Sequence, residues 1–210
     1  VDLSVKHALR WDNHTKAADV SSYVTGFALA PLAAYGLDAA VVLGSGGSAK
    51  EWAVDALVIT ESIVVAADIN QLVKFSVGRE RPFVHDLSPA EKLTKPSQPS
   101  DNNLSFFSGH TTLGFSAAVS AGMVATLRGY KAAPYIWATG MTLAVATGYL
   151  RIAADKHYFT DVMTGALWGT VAGVVVPLLH RPCTASGPCV KNVSSGPMPG
   201  GASFGFSGVW

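Results

Sequence analysis

Apolar positions recur along most of the chain at helical spacing, broken by short polar or Gly/Pro-containing joints. Lys6 to Asp19 reads as a short polar helix, and Val20 to Leu43 as an apolar helix bent near Pro31. Gly44 to Ser48 is a flexible connector. Lys50 to about Arg79 forms one long helix with Trp52, Leu57, Ile59, Ile63, Ile69 and Leu72 as its apolar contacts, and Pro82 marks the stop. Phe83 to Phe107 lacks periodicity and contains Pro89, Pro96, Pro99 and Asp101-Asn102-Asn103. A loop of that length in a compact domain is functional or mobile. Ser108 begins a helix towards Leu127, Pro134 opens one ending near Arg151, and Thr160 or Asp161 caps a last one running to Leu179. From Arg181 the chain turns irregular, and alternating Phe204 and Phe206 allow a single strand-like tail. The expected fold is all-α: a single-domain helical bundle over residues 1–180 and a Gly/Pro/Ser-rich tail over 181–210.

Composition sharpens this picture. Of 210 residues, 49% are apolar and 14% charged, against roughly 25% charged in an average soluble protein. Disorder is excluded, and a heavily buried or membrane-associated helical protein is favoured. The formal charge of +1 lacks the basic excess that nucleic acid requires as a partner. Val20 to Leu37, Thr111 to Leu127, Ala132 to Leu150 and Val162 to Leu179 carry no Asp, Glu, Lys or Arg. They are rich in Ala, Gly, Thr and Ser, however, and Asp55, Glu61 and Asp68 cannot share one narrow stripe of the long helix. The cost of carboxylates inside a bilayer favours a soluble bundle, with membrane association as the alternative. Cys183 and Cys189 are spaced to close a small disulfide loop in an oxidising compartment. The start at Val1, without Met or a basic-apolar leader, fits a mature exported form, so a periplasmic location is expected.

Three clusters carry candidate chemistry. Lys74 and Arg81 lie seven positions apart, close to two helical turns, so one helix face would present both cations to an oxygen-rich anion. Ser108-Gly109-His110 opens an apolar run, where a helix N-terminus offers amide protons and Gly109 permits close approach of the backbone. His110 would then stand beside the bound anion, ready to protonate a leaving oxygen. Finally, Arg151, His157 and Asp161 share one bend. There Asp161 would accept the Nδ1 proton of His157, fixing the tautomer and leaving Nε2 as a nucleophile. Each cluster alone also fits an ordinary solvated face or helix cap.

Together they form Lys-x6-Arg-Pro, Ser-Gly-His and Arg-x5-His-x3-Asp, in that order, from Lys74 to Asp161. In this the chain resembles the type 2 phosphatidic acid phosphatase superfamily, which also holds bacterial class A acid phosphatases and vanadium-dependent haloperoxidases. The resemblance implies a phosphohistidine on His157, oriented by Asp161, with His110 as general acid and later base. Lys74, Arg81, Ser108, Gly109 and Arg151 would hold the phosphate oxygens. No metal or other cofactor is implied, because three side chains bring the positive charge that magnesium otherwise supplies. Phe107 stands where Pro commonly precedes Ser-Gly-His, and Leu150 where Ser commonly precedes Arg, which removes a hydroxyl from the site.

The expected function is a metal-independent phosphatase acting on phosphomonoesters or diphosphates, soluble or lipid. A vanadium-dependent haloperoxidase and a non-catalytic phosphate-binding or membrane-scaffold protein are the alternatives. His7 and His14 read as surface residues; His85, Lys92 and Lys95 lie in the long loop, where meeting an anionic substrate and a simple solvated loop explain them equally well. Gly44 to Ser48 lacks the Gly-Lys-Ser/Thr of a nucleotide loop.

Overall fold

The computed structural model describes residues 1–94, 99–180, 189–198 and 201–209. The chain enters through α1 (Asp2–Leu9) and α2 (His14–Asp19), then runs through π-helical stretches Val20–Leu29 and Leu32–Gly36 into α3 (Leu37–Gly44). The expected single helix over Lys6 to Asp19 is therefore two. Arg10 turns extended between them, and the Trp11 amide donates to the Ala153 carbonyl at 3.0 Å. Pro31 sits in helical geometry without breaking the run, since the wider π-helical turns around it relieve the missing amide.

The long helix α4 (Ala49–Val77) opens on a capping box formed by Ser48 and Glu51. It stops not at Pro82 but at Gly78, whose φ of 61° is a left-handed turn that glycine adopts without steric cost. Its inner face carries fully buried Ile59, whereas Leu57 and Leu72, expected to be core contacts, face outwards. Asp55 is buried and accepts a 2.9 Å bond from Arg128 Nε, while Glu61 and Asp68 are exposed, so the carboxylates do lie on different faces.

The region expected to be one long loop contains α5 (Pro82–His85), α6 (Pro89–Thr94) and a 3-10 turn at Pro99–Asp101. Then follow α7 (Gly109–Leu127), α8 (Ala133–Ala153) and α9 (Phe159–Leu179). Tyr158 precedes α9, where Thr160 or Asp161 was the expected cap. Asp161 instead sits in the first turn and accepts the Tyr158 amide at 3.0 Å. α7 is the buried axis of the bundle, packed against α9, α8 and α4. Gly165, Gly169 and Gly173 form a stripe of small residues on α9, and a Cβ on Gly169 would lie 2.4 Å from the Thr112 carbonyl oxygen of α7. This close approach brings the starts of α7 and α9 together, and the Ser108 amide donates to the Asp161 carbonyl at 3.0 Å.

The fold is all-α apart from a C-terminal antiparallel pair, β1 (Cys189–Met198) and β2 (Gly201–Val209). Two antiparallel strands thus stand where one was expected. The Cys183–Cys189 pairing lies outside the described residues. Among the described residues one helix, α9, is long and apolar enough to cross a membrane.

Candidate active site

Lys74, in the last turn of α4, Arg81, after the Gly78 turn, and Arg151, in the last turn of α8, converge as buried cations. Lys74 and Arg81 do not share a helix face as expected, because α4 has ended before Arg81. The turn carries the guanidinium back towards the bundle, where its Nη1 donates to the Lys156 carbonyl at 3.1 Å. Burial and the fields of Arg81 and Arg151 push the Lys74 amine down to about 8. Burial and Arg81 likewise lower Arg151, whose Nε is buried without a hydrogen-bond partner among the described residues. Like charges gathered out of water, with one guanidinium nitrogen lacking an acceptor among the described residues, form a place that an anion would stabilise.

His157 lies on the 154–158 bend between α8 and α9, with its side chain almost wholly out of solvent. Its Nδ1 lies 2.8 Å from the Ser105 carbonyl oxygen. A carbonyl only accepts, so Nδ1 carries the proton. Burial, followed by Arg81, Arg151 and Lys74, holds the ring's pKa well below its ordinary value. The neutral ring therefore carries its lone pair on Nε2, 3.3 Å from Arg81 Nη1, which donates to it. Asp161 does not take the Nδ1 proton directly as expected. Its Oδ2 is 3.9 Å away and is occupied by Ser105 Oγ at 2.6 Å and the Tyr158 amide. Ser105 thus stands between the carboxylate and the imidazole, contributing its hydroxyl to one and its carbonyl to the other.

Ser108 caps α7 without a side-chain cap bond, and its hydroxyl accepts from Thr111 Oγ1 at 2.9 Å. Because its amide already serves the Asp161 carbonyl, Ser108 is not a free amide donor to an anion. Gly109 is small for a reason: a Cβ there would lie 3.3 Å from Lys74 Nζ and 3.0 Å from Asn70 Oδ1. His110 follows, its Nε2 3.2 Å from Ser22 Oγ. Burial and the charges of Arg151, Lys74 and Arg81 press this imidazole down to about 3. The same three cations therefore act on both imidazoles.

Several contributors carried no recognisable motif. Ser21 and Ser22, on the first π-helical stretch, receive Arg151 Nη1 at 3.0 and 3.5 Å. Leu150 packs with Ala17, Ala153 and Ala154, so hydroxyls beside Arg151 come from another helix rather than from its sequence neighbour. Asp101 holds Arg81 through its carboxylate at 2.7 Å and its carbonyl at 2.9 Å. Asn70 bonds the Phe107 carbonyl at 2.8 Å, tying α4 to the segment before α7. By contrast, His85 and Lys92 face Glu80, at 3.7 and 2.6 Å, instead of waiting for a substrate. Lys95 lies outside the described residues, and His7 and His14 are exposed as expected. Among the described residues no three His, Cys, Asp or Glu side chains converge as a metal site.

A cavity of about 420 Å³ runs from Lys74, Gly109 and His110 between the π-helical stretches around Pro31, α4 and α7. Away from that polar end its walls are mainly apolar, with Ala30, Pro31, Ile63, Leu113 and Ala117.

The model of the PAP2 superfamily matches residues 55–185, and the chain belongs to that family. Human phospholipid phosphatase 2 is 28% identical over 131 residues, covering 53% of this chain and 46% of that protein. The match spans just under half the length of this curated relative. The crystal structure of a transmembrane PAP2 type phosphatidylglycerolphosphate phosphatase from Bacillus subtilis is similar with a TM-score of 0.48 and 20% identity, over 83% of this chain and 89% of that one.

Proposed function

We propose that the protein is a phosphatase that hydrolyses a lipid phosphate monoester or diphosphate at a membrane surface, through a phosphohistidine and without a metal. The observation that carries this reading is the cluster of Lys74, Arg81 and Arg151, buried together with a partnerless Arg151 Nε and set against a neutral imidazole whose Nε2 lone pair faces Arg81. Three fixed positive charges suit a phosphate whose equatorial oxygens gain charge as the bond to the leaving oxygen breaks.

In the reaction, His157 Nε2 forms a bond to phosphorus while the bond from phosphorus to the leaving alcohol or phosphate oxygen breaks. His110 gives that oxygen a proton. Water then attacks the phosphoryl group, His110 takes one of its protons, and the P–N bond returns its electron pair to Nε2 as phosphate departs. His110 must be protonated in the first step, although the local cations oppose this in the empty site. A bound phosphate dianion reverses that field and raises the imidazole's proton affinity.

The cavity beginning at His110 favours a substrate with an apolar leaving group, since its walls beyond the polar end offer Ile63, Leu113 and Ala117 instead of hydrogen-bonding partners. The names of the relatives point the same way. Membrane association accords with this choice and with the exposed apolar side of α9, which carries Met163, Leu167, Val171 and Val175. The test is a panel of soluble phosphate esters and of phosphatidic acid and polyprenyl diphosphate in mixed micelles, assayed in excess chelator. Lipid phosphates are expected to turn over fastest, with activity retained in chelator and abolished in His157→Ala. Faster hydrolysis of small soluble esters would overturn the lipid assignment, and loss of activity in chelator would overturn metal independence.

A further inference from the structure

Arg79 does not belong to the three motifs, yet its guanidinium lies between the N-terminus and the carboxylate behind His157. Its Nη1 donates to Asp161 Oδ1 at 2.6 Å and to Thr160 Oγ1 at 2.8 Å. Its Nη2 donates to Asp2 Oδ2 at 2.7 Å, and its Cζ lies 4.2 Å from the centre of the Tyr158 ring. Asp2 in turn accepts the Thr160 amide on Oδ1 at 3.0 Å and the Thr160 hydroxyl on Oδ2 at 2.7 Å, so α1 supplies a cap to the start of α9.

We infer that Arg79 is a positioning residue for the reaction, with Asp2 of α1 holding it in place. The inference rests on the phosphatase reading above. The path runs from Asp2 through Arg79 to Asp161, then through the Ser105 hydroxyl and carbonyl to Nδ1 of His157. Each link is a hydrogen bond with a fixed direction. With one carboxylate oxygen committed to Arg79, the other is left to hold Ser105 and the Tyr158 amide. Ser105 then keeps its carbonyl aimed at the imidazole, which fixes the tautomer that leaves Nε2 basic. Without the guanidinium, Asp161 remains buried and loses its charged partner. Burial already raises its proton affinity, so the carboxylate would become easier to protonate, and a protonated Asp161 would no longer accept the Ser105 hydroxyl in the same way. The N-terminal helix thus supports the nucleophile without touching substrate.

The test uses the full chain with Arg79→Met, Arg79→Lys and Asp2→Asn, each compared with the parent protein and with His157→Ala. Arg79→Met is expected to lower kcat by about 10- to 100-fold, the range known for removing a hydrogen-bond partner that orients a metal-bound histidine, with KM little changed. The acid limb of its pH profile should move to higher pH as Asp161 becomes easier to protonate. Arg79→Lys should recover part of kcat, because it keeps a cation beside Asp161 but cannot span both carboxylates. Asp2→Asn should give a smaller kcat loss in the same direction. A rise in KM with unchanged kcat would overturn the inference by placing Arg79 on the substrate. A kcat loss matching the loss of folded protein, with an unmoved pH profile, would overturn it by making the role merely structural.

A readout independent of turnover separates this inference from the function it rests on. The Nδ1 proton of His157 is expected as a slowly exchanging imidazole signal in NMR, assigned by its loss in His157→Ala and shifted or broadened in Arg79→Met. Should the parent protein hydrolyse no phosphate ester, the phosphatase reading fails while this signal still decides the path. An Nδ1 signal identical in the parent and in Arg79→Met would overturn the path itself.

Discussion

The Lys74 amine is charged at neutral pH but held at about 8, well below an ordinary lysine. Affinity for inorganic phosphate should therefore fall as pH rises through about 8 and the ammonium is lost, which calorimetric titration across that range would reveal. The linked effect on stability has the opposite sign. Between about 8 and the ordinary lysine value of 10.5 the unfolded chain binds the extra proton, so the empty protein gains stability as pH rises through that window. Bound phosphate should reduce this gain by restoring the amine's proton affinity. Gly109 gives a second residue-scale expectation. In Gly109→Ala the new methyl group would meet Lys74 Nζ and Asn70 Oδ1, so phosphate binding should weaken by about tenfold, the 1.4 kcal/mol of a modest steric displacement. Its melting temperature should stay close to the parent's; a large fall with unchanged phosphate affinity would count against the site. Ser22→Ala removes the hydroxyl shared by Arg151 and His110, and a several-fold fall in kcat is expected from steady-state kinetics.

Helices meeting through glycine set where those residues end up. The α7–α9 seam has no room for a methyl group at Gly169, where it would stand 2.4 Å from a backbone oxygen. Gly169→Ala should cost about 1–3 kcal/mol, the usual penalty of overpacking, and lower the melting temperature accordingly. It should also reduce turnover, because the seam brings Ser108 against the Asp161 carbonyl. Most helices were legible in the sequence, since periodicity and caps are local signals: α7 begins after Ser108 and α4 follows the Gly44–Ser48 connector as expected. α4 ends close to the expected Arg79, but the signal that stops it is the left-handed turn at Gly78 and not the more conspicuous Pro82. The π-helical geometry of Val20–Leu29 was not legible either, since an apolar run without polar landmarks fits several helix types. Yet that stretch delivers Ser21 and Ser22 to Arg151.

Over the whole molecule, the three motifs lie far apart in sequence, and residue types and spacing sufficed to identify them. Their supporting groups were hidden for a physical reason. Ser105 acts on His157 through its backbone carbonyl, which any residue possesses, and Asp2 and Arg79 meet only because α1 returns to the start of α9. The same long-range packing buries Asp38 with both carboxylate oxygens lacking hydrogen-bond partners among the described residues. Burial, with Asp55 adding to it, raises this carboxyl to about 7. Its contribution to stability is then present below its unfolded value of 3.8 and lost as pH rises through about 7. Asp38→Asn should consequently be more stable than the parent at pH 8, with the difference shrinking towards acid pH in paired thermal melts. A stability gain independent of pH would contradict ionisation as its cause.

Phosphoryl transfer to one particular nitrogen can be read directly. A phosphate ester labelled at phosphorus would be quenched in alkali during turnover by His110→Ala, in which both steps are slowed but the nucleophile is intact. Digestion and mass spectrometry would then locate the acid-labile adduct. The label is expected on His157, at Nε2, and is expected to be absent from His157→Ala. Stoichiometric label on any other side chain, or pre-steady-state turnover with no enzyme-bound phosphoryl group at all, would contradict the account.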